Sequence, residues 1–227
     1  GAVRQGYSSA TTDTGHQGGD AKWALGHPEK VIDFGWRAIH EMTVAGKAIT
    51  KAFYGEAPAR SYFNSCSNGG RQALMEAQRF PEDYDGIIAG APANYWTRLI
   101  VMGMSSMKAT LARPESYIPE KKLKAIQSVA VEACDARDGV KDGVIEQPDR
   151  CQPDYSRLLC SGAENDSCLT APQLEALKVV YAGPRNAKGA RVFPGISPGG
   201  EAEAGGWGGW VTGAAPKASA MFLFGTN

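Results

Sequence analysis

The run Arg60-Ser-Tyr-Phe-Asn-Ser-Cys-Ser-Asn-Gly-Gly-Arg-Gln-Ala-Leu-Met-Glu-Ala77 leaves few choices of fold. A β-prone segment, Ser61 to Asn64, enters a tight polar corner, and a helical pattern leaves it from Gly69 onward. This is the strand–turn–helix context of a nucleophile elbow, in which a strained turn pushes a serine, here Ser67, out of the backbone. The turn needs small residues two before and two after that serine, because the chain doubles back on itself. Gly69 fills the later place, and Ser65 stands where the common G-x-S-x-G pattern has glycine. The competing reading of the same residues is a plain strand-to-helix turn in which the Ser67 hydroxyl caps the helix.

The flanking sequence alternates as a parallel sheet requires. Tyr7 to Thr12 reads as a strand closing in the turn Asp13-Thr-Gly-His16, and Pro28 opens a long helix. Val31, Ile32, Gly35, Ile39, Met42, Gly46, Ile49 and Phe53 recur at helical spacing and mark its expected buried face. Gly55-Glu-Ala-Pro58 stops that helix. The elbow, a helix from Gly70 to Arg79, a loop from Phe80 to Asp85 and a short buried strand at Gly86-Ile-Ile-Ala89 follow. The order β-α-β-α-β, with a serine at the second βα corner, predicts an α/β-hydrolase core over residues 1–94. Twenty-four basic residues balance 24 acidic ones without a block of either sign, which argues against nucleic acid or an acidic membrane surface as partner. No apolar run approaches the roughly 18–20 residues of a membrane span.

Cys66-Ser-Asn-Gly-Gly-Arg-Gln72, together with Ala77-Gln-Arg-Phe-Pro-Glu-Asp-Tyr-Asp-Gly-Ile-Ile-Ala-Gly-Ala-Pro92, resembles the tannase and feruloyl esterase family, which includes mono(2-hydroxyethyl) terephthalate hydrolase. Thr12-Asp-Thr-Gly-His16, Trp23 to Asp33 and the later Asp135 to Ile145 loop fit the same family, in order and at compatible spacing. The resemblance implies a partial α/β-hydrolase core and an inserted lid domain over residues 95–227. It also implies a serine carboxylic-ester hydrolase acting on small aromatic esters through an acyl-enzyme. Ser67 would be the nucleophile, and the backbone N–H of Asn68 one oxyanion donor. Ser65 is a departure, since the family usually carries glycine there.

Such a serine needs a base, and in α/β-hydrolases the triad runs Ser, then Asp or Glu, then His. His16, His27 and His40 all precede Ser67. The chain opens at Gly1-Ala-Val-Arg-Gln-Gly-Tyr7 with neither initiator Met nor signal-peptide pattern. It is therefore read as an internal fragment, with the triad Asp and His and the second oxyanion donor outside it and little activity alone. His16 is expected to hydrogen-bond its turn, while His27 and His40 read as structural or surface residues. No two histidines have zinc-ligand spacing.

From about Tyr95 the character changes. Met102 to Met107 reads as apolar and flexible, and Pro119 to Ala133 as helical. Asp135, Asp138 and Asp142 then crowd into eight residues, with Gly139 and Gly143 letting the loop curl. Carboxylates this close repel one another without a cation, and calcium takes six to eight oxygens. The spacing is not that of an EF-hand, and a solvated acidic turn is the alternative. The resemblance implies a structural calcium loop, completed by the carbonyls of Val140 and Val144.

Pairing sequence neighbours among Cys134, Cys151, Cys160 and Cys168 gives Cys134–Cys151 and Cys160–Cys168 and leaves Cys66 odd. The resemblance implies that Cys66 pairs with a cysteine outside this chain, and the cysteine pairing supports an oxidising compartment, secreted or periplasmic. Reduced cysteines in a cytosolic protein are the alternative. Thr170 caps a helix through Tyr181, with Pro172 in its first turn. Gly183 to Pro216 holds ten glycines and four prolines and reads as an extended loop, with Trp207 and Trp210 anchoring it or facing an acyl group. A non-catalytic, calcium-stabilised extracellular binding module on the same core is the rival function.

Overall fold

Two short strands, Tyr62–Cys66 (β1) and Gly86–Gly90 (β2), pair in parallel with Tyr62 opposite Gly86 and Cys66 opposite Gly90. Parallel neighbours cannot be joined by a tight hairpin, so the chain crosses back through a helix. The computed structural model describes residues 1–212, except for the side chain of Trp210. Its helices are α1 (Pro28–Ile32), α2 (Ala38–Tyr54), α3 (Asn68–Arg79), α4 (Trp96–Leu111), α5 (Leu123–Cys134), α6 (Ala171–Ala182) and α7 (Trp207–Trp210). The chain divides into two units, Gly1–Trp96 and the residues from Thr97 onward.

In the first unit α3 is the crossover and packs on both strands. Its first turn lies close to the end of β2, where only glycine fits. A Cβ at Gly70 would overlap Gly90 O and sit 2.8 Å from Pro92 Cα. The long helix starting at Pro28 forms, but a single π turn, Asp33–Arg37, separates α1 from α2. Gly55 ends α2 in the left-handed conformation (φ 83°).

Four expectations need correction here. The strand at Gly86–Gly90 forms but is not buried, and Ile88 is 62% exposed. Tyr7 to Thr12 is not a strand: these residues have no ladder partner among the described residues and are mostly exposed. β-propensity without a neighbouring strand leaves the backbone polar groups to water. The expected buried face of the helix opened by Pro28 is also only partly right, since Ile39 is buried while Val31 of α1 and Ile49 and Phe53 of α2 are exposed. Thr43, which no apolar pattern singles out, is buried instead, bonding Ile39 O at 2.8 Å and the Tyr84 hydroxyl. Finally, Met102 to Met107, read as apolar and flexible, lies in the middle of the regular 16-residue helix α4.

The second unit is built on α5 and α6. Ile118, Leu123, Ile126, Val129, Leu158, Leu174, Leu177 and Val180 form one buried cluster, joined by Trp207 and Val211 from the glycine-rich segment. α6 begins with a full capping box: the Thr170 side chain accepts from Gln173 N–H, and the Gln173 side chain accepts from Thr170 N–H. Gln173 also accepts from the buried ammonium of Lys122 (2.8 Å), which pairs with Glu164 at 2.6 Å. Cys134–Cys151 and Cys160–Cys168 are both disulfide-bonded, as the neighbour pairing predicts, and Cys66 is free and exposed. Trp207 is buried against Tyr181, so it anchors the glycine-rich segment to the core. The Trp210 side chain and residues 213–216 lie outside the described residues.

Candidate active site

Ser67 sits between β1 and α3 with φ 60° and ψ −118°. A non-glycine residue in this region is strained by its own Cβ, at a cost of order 1–3 kcal/mol, and persists only where its surroundings impose it. Those surroundings are visible. Ser67 N–H donates to Gly90 O at 3.0 Å, and Ser67 O accepts from Arg71 N–H (3.1 Å) and Ala93 N–H (3.0 Å). The backbone of the elbow is thus tied to α3 and to both sides of the turn after β2. The hydroxyl is left over: Ser67 is exposed, and its side chain makes no cap hydrogen bond to α3. Helix capping therefore does not account for this serine.

Asn68 heads α3, where the first N–H groups of a helix lack intrahelical acceptors and carry its positive dipole end. An oxyanion next to Ser67 would find that end of the helix. Asn68 is held from behind by Arg71, whose Nε donates to Asn68 Oδ1 at 2.8 Å. The same guanidinium is buried and donates to Phe34 O and Gly35 O, both at 2.9 Å, in the π turn. It also lies 4.9 Å from the Phe34 ring centre, and burial lowers its pKa. Arg71 escapes a motif search because its acceptors are carbonyls 36 and 37 residues upstream.

Ser65 keeps a strand conformation in β1, opposite Ala89, and is not among the residues with positive φ. Its side chain packs over Gly69, where a Cβ would overlap Ser65 Oγ and lie 2.5 Å from Ser65 Cβ. Serine at this position is accommodated because the residue four later is glycine.

The histidines are engaged elsewhere. His16 stacks on Trp23 (centroids 4.1 Å) and lies edge-on to Phe34, with Nδ1 3.3 Å from Thr14 Oγ1, so it does belong to its own turn. His27 is exposed and precedes Pro28. His40 stacks on Phe80 at 3.8 Å and bonds Asp83 Oδ2 at 2.6 Å. Among the described residues none hydrogen-bonds the Ser67 hydroxyl.

The acidic loop curls through Gly139 (φ 94°) and Gly143 (φ 84°). Asp135 is buried, and its Oδ1 accepts from the N–H groups of Asp142 (3.2 Å) and Gly143 (2.9 Å). Asp138 Oδ1 accepts from Val140 N–H (2.8 Å), and Asp142 Oδ1 from Val144 N–H (3.0 Å). No cationic side chain lies within 4.0 Å of these three carboxylates among the described residues. A buried carboxylate without a counter-charge, in a loop rich in hard oxygen donors, fits a calcium ion in donor chemistry. The three carboxylates are not drawn together to within 4.8 Å as a set.

Comparison with known proteins decides the family. The tannase and feruloyl esterase family matches residues 1–227. The chain belongs to the tannase and feruloyl esterase family. It is 47% identical over 215 residues to an uncharacterized esterase of Xanthomonas campestris pv. campestris, covering 93% of this chain and 37% of that protein. It is 40% identical over 204 residues to feruloyl esterase B of Aspergillus niger, covering 89% of this chain and 39% of the relative. The crystal structure of feruloyl esterase B from Aspergillus oryzae superposes with a TM-score of 0.82 at 34% identity, over 97% of this chain and 45% of that one. Tannin acyl hydrolase from Aspergillus niger superposes with a TM-score of 0.59 at 28% identity, over 75% and 33%. The fold is therefore that of the family's α/β-hydrolase-like esterases, and the homologues are carboxylic-ester hydrolases. The chain spans about two fifths of the length of the curated relatives it matches. No helix among the described residues is long and apolar enough to cross a membrane.

Proposed function

We propose that these 227 residues carry the nucleophile half of a secreted or periplasmic serine esterase that cleaves small aromatic carboxylic esters. The observation behind this is the backbone of Ser67: a strained φ of 60°, with an exposed side chain that makes no cap bond to α3 and no hydrogen bond to any histidine among the described residues. Strain imposed by three surrounding backbone groups, with the side chain left unused, is what presenting a nucleophile requires.

The elbow geometry supports the following steps. The Ser67 hydroxyl attacks the ester carbonyl as a base takes its proton. The charge developing on the carbonyl oxygen falls beside the N-terminus of α3, where Asn68 N–H donates. Loss of the alcohol leaves an acyl-enzyme, which water cleaves with the same base. The base and its carboxylate partner, together with a second oxyanion donor, are supplied by parts of the longer protein beyond this chain. Residues 1–94 form the partial core and 95–227 the lid. A structural calcium ion held by Asp135, Asp138 and Asp142, with the carbonyls of Val140 and Val144, neutralises the lid loop and takes no part in the chemistry. Cys66 pairs with a cysteine of the longer protein.

The test is hydrolysis of methyl ferulate and methyl gallate by the full-length protein, by its Ser67→Ala variant and by this chain alone. Loss of a serine hydrolase nucleophile or base costs on the order of a millionfold in turnover. The full-length enzyme should turn over at least one ester, and the variant and the isolated chain neither. Undiminished turnover by folded Ser67→Ala would end this reading.

A further inference from the structure

Behind the elbow, on the side of α3 remote in sequence from Ser67, three side chains from three elements meet: His40 of α2, Glu76 of α3, and Asp83 of the short 3₁₀ turn Pro81–Asp83. A ring nitrogen of His40 and one oxygen from each carboxylate lie within 4.8 Å of one another, the only such triple of His, Cys, Asp or Glu ligands among the described residues. Glu76 is fully buried, at 0% exposure, and neither of its carboxylate oxygens has a hydrogen-bond partner. A buried carboxyl group left without partners is costly, so it points to a species between the three groups. Among the described residues no Lys or Arg side chain lies within 4.0 Å of either carboxylate, and His40 is the one basic side chain that does. Lys47 is spent on the Asp83 carbonyl.

We propose that His40, Glu76 and Asp83 bind one divalent transition-metal ion of the zinc type. One imidazole and two carboxylates is a borderline donor set, which suits zinc better than calcium or magnesium. Three protein ligands leave a fourth position for water. The His40 side chain, 27% exposed, gives the ion a way in from solvent. The ion takes the place of the proton between His40 Nδ1 and Asp83 Oδ2, which must open from their 2.6 Å contact to admit it, draws in the two unpartnered Glu76 oxygens and offsets the two buried carboxylates. It staples α2, α3 and the turn after α3 at a point 36 residues apart in sequence on one side and seven on the other. The sequence hides it because no two of these ligands share a motif spacing. The site is separate from Ser67 and does not rest on the esterase reading.

The experiment uses full-length protein stripped by chelator, returned to excess Ca2+ and titrated with Zn2+ by calorimetry, with bound zinc counted after gel filtration. One equivalent of zinc per chain is expected, with the affinity at least a hundredfold weaker in Glu76→Gln and in His40→Gln and unchanged in Asp138→Ala. No stoichiometric binding by the wild type, or equal affinity in a folded Glu76→Gln variant, would overturn the proposal and leave a shared proton as the occupant. If neither variant folds, Co2+ bound to the wild type decides by its visible spectrum. Intense tetrahedral bands support the site, and a weak hexa-aqua-like spectrum removes it.

Discussion

Replacing Gly70 by alanine should damage this protein more than a single methyl group suggests. The added Cβ would overlap Gly90 O and stand 2.8 Å from Pro92 Cα, 0.6 Å inside the 3.4 Å at which ordinary contact begins. Both obstacles are backbone, so no side chain can rotate away. The first turn of α3 must lift from the end of β2. Overpacking of this kind costs about 1–3 kcal/mol. Against it stands a gain of roughly 0.4–1 kcal/mol from replacing glycine where its flexibility is not needed. Taking the upper end for a clash with backbone, the net loss is about 2 kcal/mol. At roughly 2–4 °C per kcal/mol for a chain of 150–250 residues, the melting temperature should fall by about 4–8 °C. Gly90 O also holds Ser67 N–H, so the same shift moves the elbow. Misplacement by about 1 Å can cost on the order of a hundredfold in turnover. Thermal melts of this chain and ester hydrolysis by the full-length variant measure the two effects. Gly69→Ala is the internal control, because its clash is with the Ser65 side chain, and Ser65→Gly in the same protein should restore most of the loss. A Gly70→Ala protein with unchanged melting temperature and turnover would refute the close-packed elbow.

Two further outcomes concern the second unit. If the Asp135 loop holds calcium, chelator should lower the melting temperature and calcium restore it, and Asp138→Ala should abolish the response, because a ligand of the native state stabilises that state. A melt indifferent to chelator would remove the ion. The bond from the buried Lys122 ammonium holds the Glu164 carboxyl below its usual range. A carboxyl depressed in the folded state contributes stability above its unfolded pKa and loses it as pH falls through the folded value. Glu164→Gln should therefore flatten the acid limb of the melting temperature against pH, and an unchanged limb would count against the pair.

The sequence alone determined what depends on neighbours along the chain. The elbow residues, the Thr170 cap of α6, the stop at Gly55 and the family are all written in short runs, because turns and caps are set by local sterics and nearby hydrogen bonds. The disulfide partners were legible for a similar reason: the bonded cysteines are 17 and 8 residues apart. Only the tertiary structure decided which residues face inward and which groups meet. Ile49 and Phe53 share the periodicity of Ile39, yet they are exposed because periodicity names a helix face without naming what covers it. Tyr7 to Thr12 has strand composition but no partner strand among the described residues, and β-structure exists only as a pair. Arg71 reaching back to Phe34 and Gly35, and His40 meeting Glu76 and Asp83, join points more than 30 residues apart. Such contacts leave no local trace, because it is the packing of α3 between the strands and α2 that creates them.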